Sequence, residues 1–143
     1  MLRAAVLATV VIVFAWSGCG EGSNGEATST PAATPSATAT SRDEYYSAMD
    51  DLVTRLDRAV AAAIAGEANA MRRIKGVVRD VRDQLKERRA AGDGESPAGN
   101  FVLTTALSAR DYARNGERQG LQLIRDVPIV EARDALKSEA AGG

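Results

Sequence analysis

The side chains in this sequence that can carry chemistry are acids, arginines and a single cysteine. Among 143 residues there is no histidine, and the one cysteine is Cys19. Without histidine there is no His-based activation of a nucleophile, and the usual proton shuttle near neutral pH is missing. Zinc sites draw on clusters of Cys and His, which this composition rules out. No glycine-rich phosphate loop and no Ser-x-x-Lys pair occurs. Paired carboxylates do occur, Asp50 with Asp51 and Asp80 with Asp83, but they sit among basic residues in helical patterns. Their ordinary role there is a salt-bridged, solvated face. Asp93-Gly94-Glu95-Ser96 offers oxygens without the ligand count of a calcium loop. Arg110, Arg114 and Arg118 recur at four-residue steps, with Arg125 further on. Such a ladder serves either as an ion-paired ridge or as an anion or lipid-headgroup patch. No catalytic residue, metal site or cofactor is expected.

Cys19 follows a basic start at Arg3, an apolar run from Ala4 to Trp16, and the small pair Ser17-Gly18. These are the three parts of a secretory signal. The run is shorter than the ~20 residues a spanning helix needs. Ser17-Gly18-Cys19 resembles the lipobox of bacterial lipoproteins, with Trp16 standing where that family usually has an aliphatic residue. The resemblance implies cleavage before Cys19 and a diacylglycerol and palmitate-type acylation of it. It places the chain in the cell envelope, lipid-anchored on the extracytoplasmic face of the membrane. The same segment also fits an ordinary secretory signal cut near Gly18, which would leave Cys19 a free thiol.

Residues 20–40 are Gly, Ser, Thr, Ala and Pro apart from Asn24 and the two charged residues Glu21 and Glu26. Such a stretch cannot bury enough apolar surface to fold. As a flexible coil it would span ~25 Å, and near polyproline geometry ~65 Å. It is expected to be a disordered tether, and its Thr/Pro/Ala content suits O-glycosylation.

The rest reads as helices. Ser41 with Glu44 three residues on is a capping box. Tyr45, Met49, Leu52, Val53, Leu56, Val60 and Ile64 then recur at helical steps, and Gly66 is the expected stop. Met71, Ile74, Val78, Val81 and Leu85 mark a second helix whose other face is basic, from Arg72 and Arg73 to Arg88 and Arg89. Gly92 to Gly99 is a loop. A third helix runs from about 98 to 125, weakened by Gly116 and Gly120, which mark a kink, a break or a close approach. Asp126 and Pro128 start a last helix, with the aspartate as N-cap.

These elements, about 41–65, 67–91, 98–125 and 127–140, predict an all-α antiparallel bundle of three to four helices over residues 41–141. If Gly66 is a hairpin turn, Asp50 and Asp51 face Arg82, and Asp43 and Glu44 face Arg88 and Arg89. The other arrangement is one unbroken helix from Ser41 to Arg89, which would leave its apolar stripe poorly covered. Tyr45 and Tyr46 point in different directions, so one of them should be partly exposed. Setting aside Arg3, Glu21 and Glu26, the helical part carries 17 basic and 17 acidic side chains. That balance argues against nucleic acid as partner. The sequence therefore predicts a non-enzymatic, membrane-tethered interaction domain for an envelope protein or other envelope component. The alternative is a carrier of a small amphiphile or lipid between helices, in room left by Ala61, Ala62, Ala63, Gly116 and Gly120.

Overall fold

The computed structural model describes residues 41–142. Cys19, its preceding signal and the proposed tether lie outside the described residues. Five helices follow one another: α1 (Arg42–Ala65), α2 (Ala70–Ala91), α3 (Pro97–Asn115), α4 (Arg118–Asp126) and α5 (Pro128–Ala141). α1, α2, α3 and α5 form an up-down-up-down bundle, and α4 is a short segment between α3 and α5. α1 touches all four other helices. None of the described helices is long and apolar enough to cross a membrane.

Local sequence accounts for the ends. The Ser41 hydroxyl accepts from the Glu44 N–H at 3.3 Å, and the Glu44 carboxylate accepts from the Ser41 N–H at 2.8 Å. Gly66 takes φ +80°, which L side chains rarely adopt, and its turn lets Glu67 N–H reach the Ala62 carbonyl. The hairpin is therefore formed, and the single long helix is not. Gly116 ends α3 in the same way at φ +72°, with Glu117 N–H on the Tyr112 carbonyl. This splits the expected third helix in two. Ser96 is the N-cap of α3, accepting from Gly99 N–H at 2.9 Å, with Pro97 in the first turn. The N-cap of α5 is Val127 rather than Asp126, which instead ends α4 and accepts from the Gln122 amide. Pro128 still occupies the first turn, where its missing N–H costs nothing.

The core is Met49, Val53, Leu56 and Val60 of α1 against Ile74, Val77 and Val81 of α2, Val102 and Ala106 of α3, Leu121 of α4 and Ile129 and Leu136 of α5. The expectation that one of Tyr45 and Tyr46 would be exposed is overturned: they are 4% and 7% exposed. Neighbouring helical residues point about 100° apart. Because α1 is covered on several sides, both directions lead into protein. Leu123 and Val130 are 58% and 48% exposed. The break at Gly116 rotates α4 so that Leu121 and Ile124 face inward instead.

Close packing of α3 depends on a missing side chain. A Cβ on Gly99 would overlap the Tyr45 hydroxyl and lie 2.8 Å from Leu85 Cδ2. A Cβ on Gly76, in the middle of α2, would meet nothing. The same substitution should therefore have opposite signs at the two positions. Gly99→Ala should destabilise by about 1–3 kcal/mol through overpacking. Gly76→Ala should stabilise by up to about 1 kcal/mol through helix propensity. Urea unfolding followed by far-ultraviolet circular dichroism measures both, and equal signs would contradict this packing.

Candidate functional site

The outer face of the α1–α2 hairpin carries an open groove of about 700 Å³. Its floor is Ala59, Gly76 and Val77, and its walls are Arg55, Arg58, Arg72, Arg73, Lys75 and Arg79. Part of this charge is neutralised. Arg55 and Arg79 pair with Asp80 at 2.8 and 3.0 Å, and Arg73 pairs with Glu67 at 3.2 Å. Burial works to raise the Asp80 carboxyl, but the two guanidiniums outweigh it and hold it below the ordinary carboxylate range. Arg58, Arg72 and Lys75 have no carboxylate within ion-pair distance among the described residues.

Sequence reasoning assigned the basic face of α2 to pairing with the acidic start of α1. The expected pairs of Asp50 and Asp51 with Arg82, and of Asp43 and Glu44 with Arg88 and Arg89, do not form among the described residues. Arg55 meets Asp80 instead, which sets the centre of the hairpin beyond Gly66, at residues 67–68. Glu44 is engaged in the cap of α1, and Arg89 pairs with Glu95. With this register the early part of α2 lies opposite Ala59 to Ala65, a stretch without any charge. The cations of the groove have nothing on α1 to meet. Arg72 and Arg73 also sit in the first turn of α2, at the positive end of its dipole, and Asn69 makes no side-chain cap there. Cations so placed cost about 0.3–1 kcal/mol each.

The ladder of Arg110, Arg114 and Arg118 is divided. Arg110 pairs with the adjacent Asp111 at 2.8 Å, Arg114 is in the last turn of α3, and Arg118 begins α4 beside the Gly66 turn. Arg125 pairs with Asp57 of α1 at 3.0 Å, as one expectation for this ridge had it.

A second polar cluster closes the end of the bundle where Ser41 lies. The Arg88 guanidinium stands 4.5 Å over the Tyr45 ring and 5.6 Å from that of Tyr46, and the two tyrosines meet edge to face. Glu139 of α5 accepts from the Tyr46 hydroxyl at 3.0 Å and from Ala98 N–H, in the first turn of α3, at 2.7 Å. Arg42 of α1 donates to the Glu139 main-chain carbonyl at 2.7 Å. Burial works to raise the Glu139 carboxyl, but the Ala98 N–H, the Ser96 and Tyr46 hydroxyls and the Arg88 charge together hold it below its ordinary value. Burial pushes the Tyr45 phenol up against the pull of Ser96 and Arg88, and its hydroxyl finds no partner of hydrogen-bond geometry. This cluster joins α1, α2, α3 and α5 and borders only a cavity of about 20 Å³ beside Tyr45 and Arg88, so its work is structural. Ser96, expected in the Gly92–Gly99 loop, is the N-cap of α3, and the signal for it in the sequence is the Pro97 that follows it. Glu139 had no such signal, because its partners lie 41 and 93 residues away in the chain.

Comparison with known protein families, curated proteins and solved structures gives no match for this chain. The groove is therefore read from its own residues.

Two measurements separate the clusters. A carboxyl held below its ordinary 4.5 contributes stability that is present above that pH and lost as pH falls through its lower folded value. Glu139→Ala should cost about 1–3 kcal/mol at neutral pH. It should also flatten the fall of Tm below pH 4.5, and an unchanged slope would contradict the assignment. Arg72→Gln should instead raise stability by about 0.3–1 kcal/mol at low salt, since it relieves a charge at the wrong end of α2. A loss of stability would mean that Arg72 has a structural partner.

Proposed function

We propose that the chain is a membrane-tethered lipoprotein of the cell envelope that presents its helical bundle as a non-enzymatic interaction domain. Cys19 is its attachment point and residues 20–40 its tether. The observation that carries the interaction role is the groove on α1–α2, where Arg58, Arg72 and Lys75 face open space without a counter-charge. Cations held at some cost to the helix that bears them are better explained by binding than by folding. The lack of histidine and of a reactive thiol in the bundle supports binding over catalysis. The groove is walled by α1 residues 55 to 59 and α2 residues 72 to 79, well along the hairpin from Ser41.

A carrier role in the bundle interior has less support. The room expected beside Gly120 is filled by the Tyr112 ring, against which a Cβ at that position would collide.

Growth with a labelled fatty acid should mark the protein, and Cys19→Ala should abolish the mark and release the protein from the membrane fraction. Label that persists in Cys19→Ala would refute the anchor. A photo-cross-linking residue at Ala68, beside the groove, should capture an envelope component in intact cells. The same residue at Ser138 of α5 should not. Equal capture at both positions would remove the groove from the proposal.

A further inference from the structure

The groove has two features that a simple cationic surface lacks. Its floor is apolar and made of small residues, and one of these, Gly76, has no structural reason to be glycine. It lies in the interior of α2, takes ordinary helical geometry and has no atom near the place a Cβ would occupy. A glycine there weakens the helix and leaves the groove open. Ala59, opposite it on α1, is buried in the core, so Gly76 is the part of the floor that solvent reaches. Around this floor the walls are five arginines and one lysine. Guanidinium groups match the oxygens of phosphate in a planar, two-pronged fashion. Their methylene stems meanwhile extend the apolar surface of the floor. The uncompensated members stand on both walls, Arg58 on α1 and Arg72 and Lys75 on α2.

We propose that this groove binds a phosphate-bearing amphiphile, with the phosphate held by Arg58, Arg72 and Lys75 and an apolar portion lying over Gly76 and along the methylene stems of the surrounding arginines and lysine. The assignment deepens the reading of the domain as a binding module and rests on it. It differs from interior carriage because the ligand lies on the outer face of the hairpin and no helix has to separate. Arg55 and Arg79 close one end, sharing the single carboxylate of Asp80. Arg73 with Glu67 stands toward the turn. The acidic neighbours Asp51 and Asp83 lie beyond Arg55, on the Ser41 side, and confine the anion to the basic half of the face.

The test uses the full chain in non-ionic detergent and isothermal titration with three soluble probes: dihexanoyl phosphatidic acid, dihexanoyl phosphatidylcholine and inorganic pyrophosphate. Phosphatidic acid should bind at least tenfold more tightly than either of the others. Arg58→Gln, Arg72→Gln and Lys75→Gln combined should weaken it tenfold or more. Gly76→Leu, which keeps every charge but fills the floor, should weaken phosphatidic acid and leave pyrophosphate unchanged. Circular dichroism of each variant establishes that it remains folded. Pyrophosphate binding as tightly as phosphatidic acid would overturn the role of the floor, with free phosphate as the ligand. Unchanged phosphatidic acid affinity in the triple variant would overturn the site itself. So would a wild-type chain that binds none of the probes. If that happens while Ala68 still captures an envelope component in cells, the binding module stands and this ligand class falls.

Discussion

Tyr45 and Tyr46 are adjacent on α1, and both are buried. That is physically possible only if protein covers α1 on two sides. The rest of the bundle follows from this demand. α2 returns along one flank through the Gly66 turn, and α5 comes back along another after α3 has crossed the length of the molecule. With a single cysteine in the chain no internal disulfide is available, so apolar packing must carry most of the stability of a domain of this size. Wrapping one helix with the other four concentrates the fully buried side chains, Met49, Val53, Leu56 and Val60, on a single element. Small residues on α3, Ala98, Gly99, Ala106 and Ala109, then let its backbone come close.

Apolar packing sets few directions, so the ends of the helices need polar contacts to fix which end lies beside which. Glu139 supplies this at the Ser41 end. One carboxylate accepts from the first turn of α3 and from a tyrosine of α1, while Arg42 reaches the carbonyls at the end of α5. Negative charge at a helix start and positive charge at a helix end both agree with the backbone dipoles. The two contacts of the Glu139 carboxylate are charge-assisted and partly buried, which makes each stronger than an exposed pair. The unpartnered Tyr45 hydroxyl is a cost accepted within the same cluster.

The division between what sequence revealed and what it hid follows the range of the interactions. Capping box, apolar stripes, Gly66 stop and all-α class depend on residues within one or two turns, and all were legible. Gly116 was legible as a weak point, but a weak point in a helix does not distinguish a kink from a break. That depended on Tyr112 and Ala113 offering carbonyls to the turn. The hairpin was legible and its register was not, because Gly66 alone does not say that three further residues belong to the turn. A shift of three positions in the facing residue was enough to remove the expected acid–base pairs and leave Arg88 on an aromatic ring. The groove was lost for the same reason. The pairs expected of the basic face used Arg82, Arg88 and Arg89, none of which lines the groove, and they stood for the whole face.

The charge arrangement of the hairpin is thus informative about selection. Asp57 is drawn to Arg125 of α4, and Glu44 is committed to a cap. The remaining stretch of α1 opposite Arg72 and Lys75 is alanine, valine and isoleucine. A single acid at Ala61 or Ala63 would have offered these cations a partner at little cost, since both positions are only half-buried. A carboxylate in the first turn of α2 would have supported that helix as well. Neither is present, and the helix interior nearby contains a glycine that packing does not require. Three departures from what stability favours coincide at one groove. Departures of this kind normally gather where a protein binds something, and here they combine positive charge with an open apolar floor.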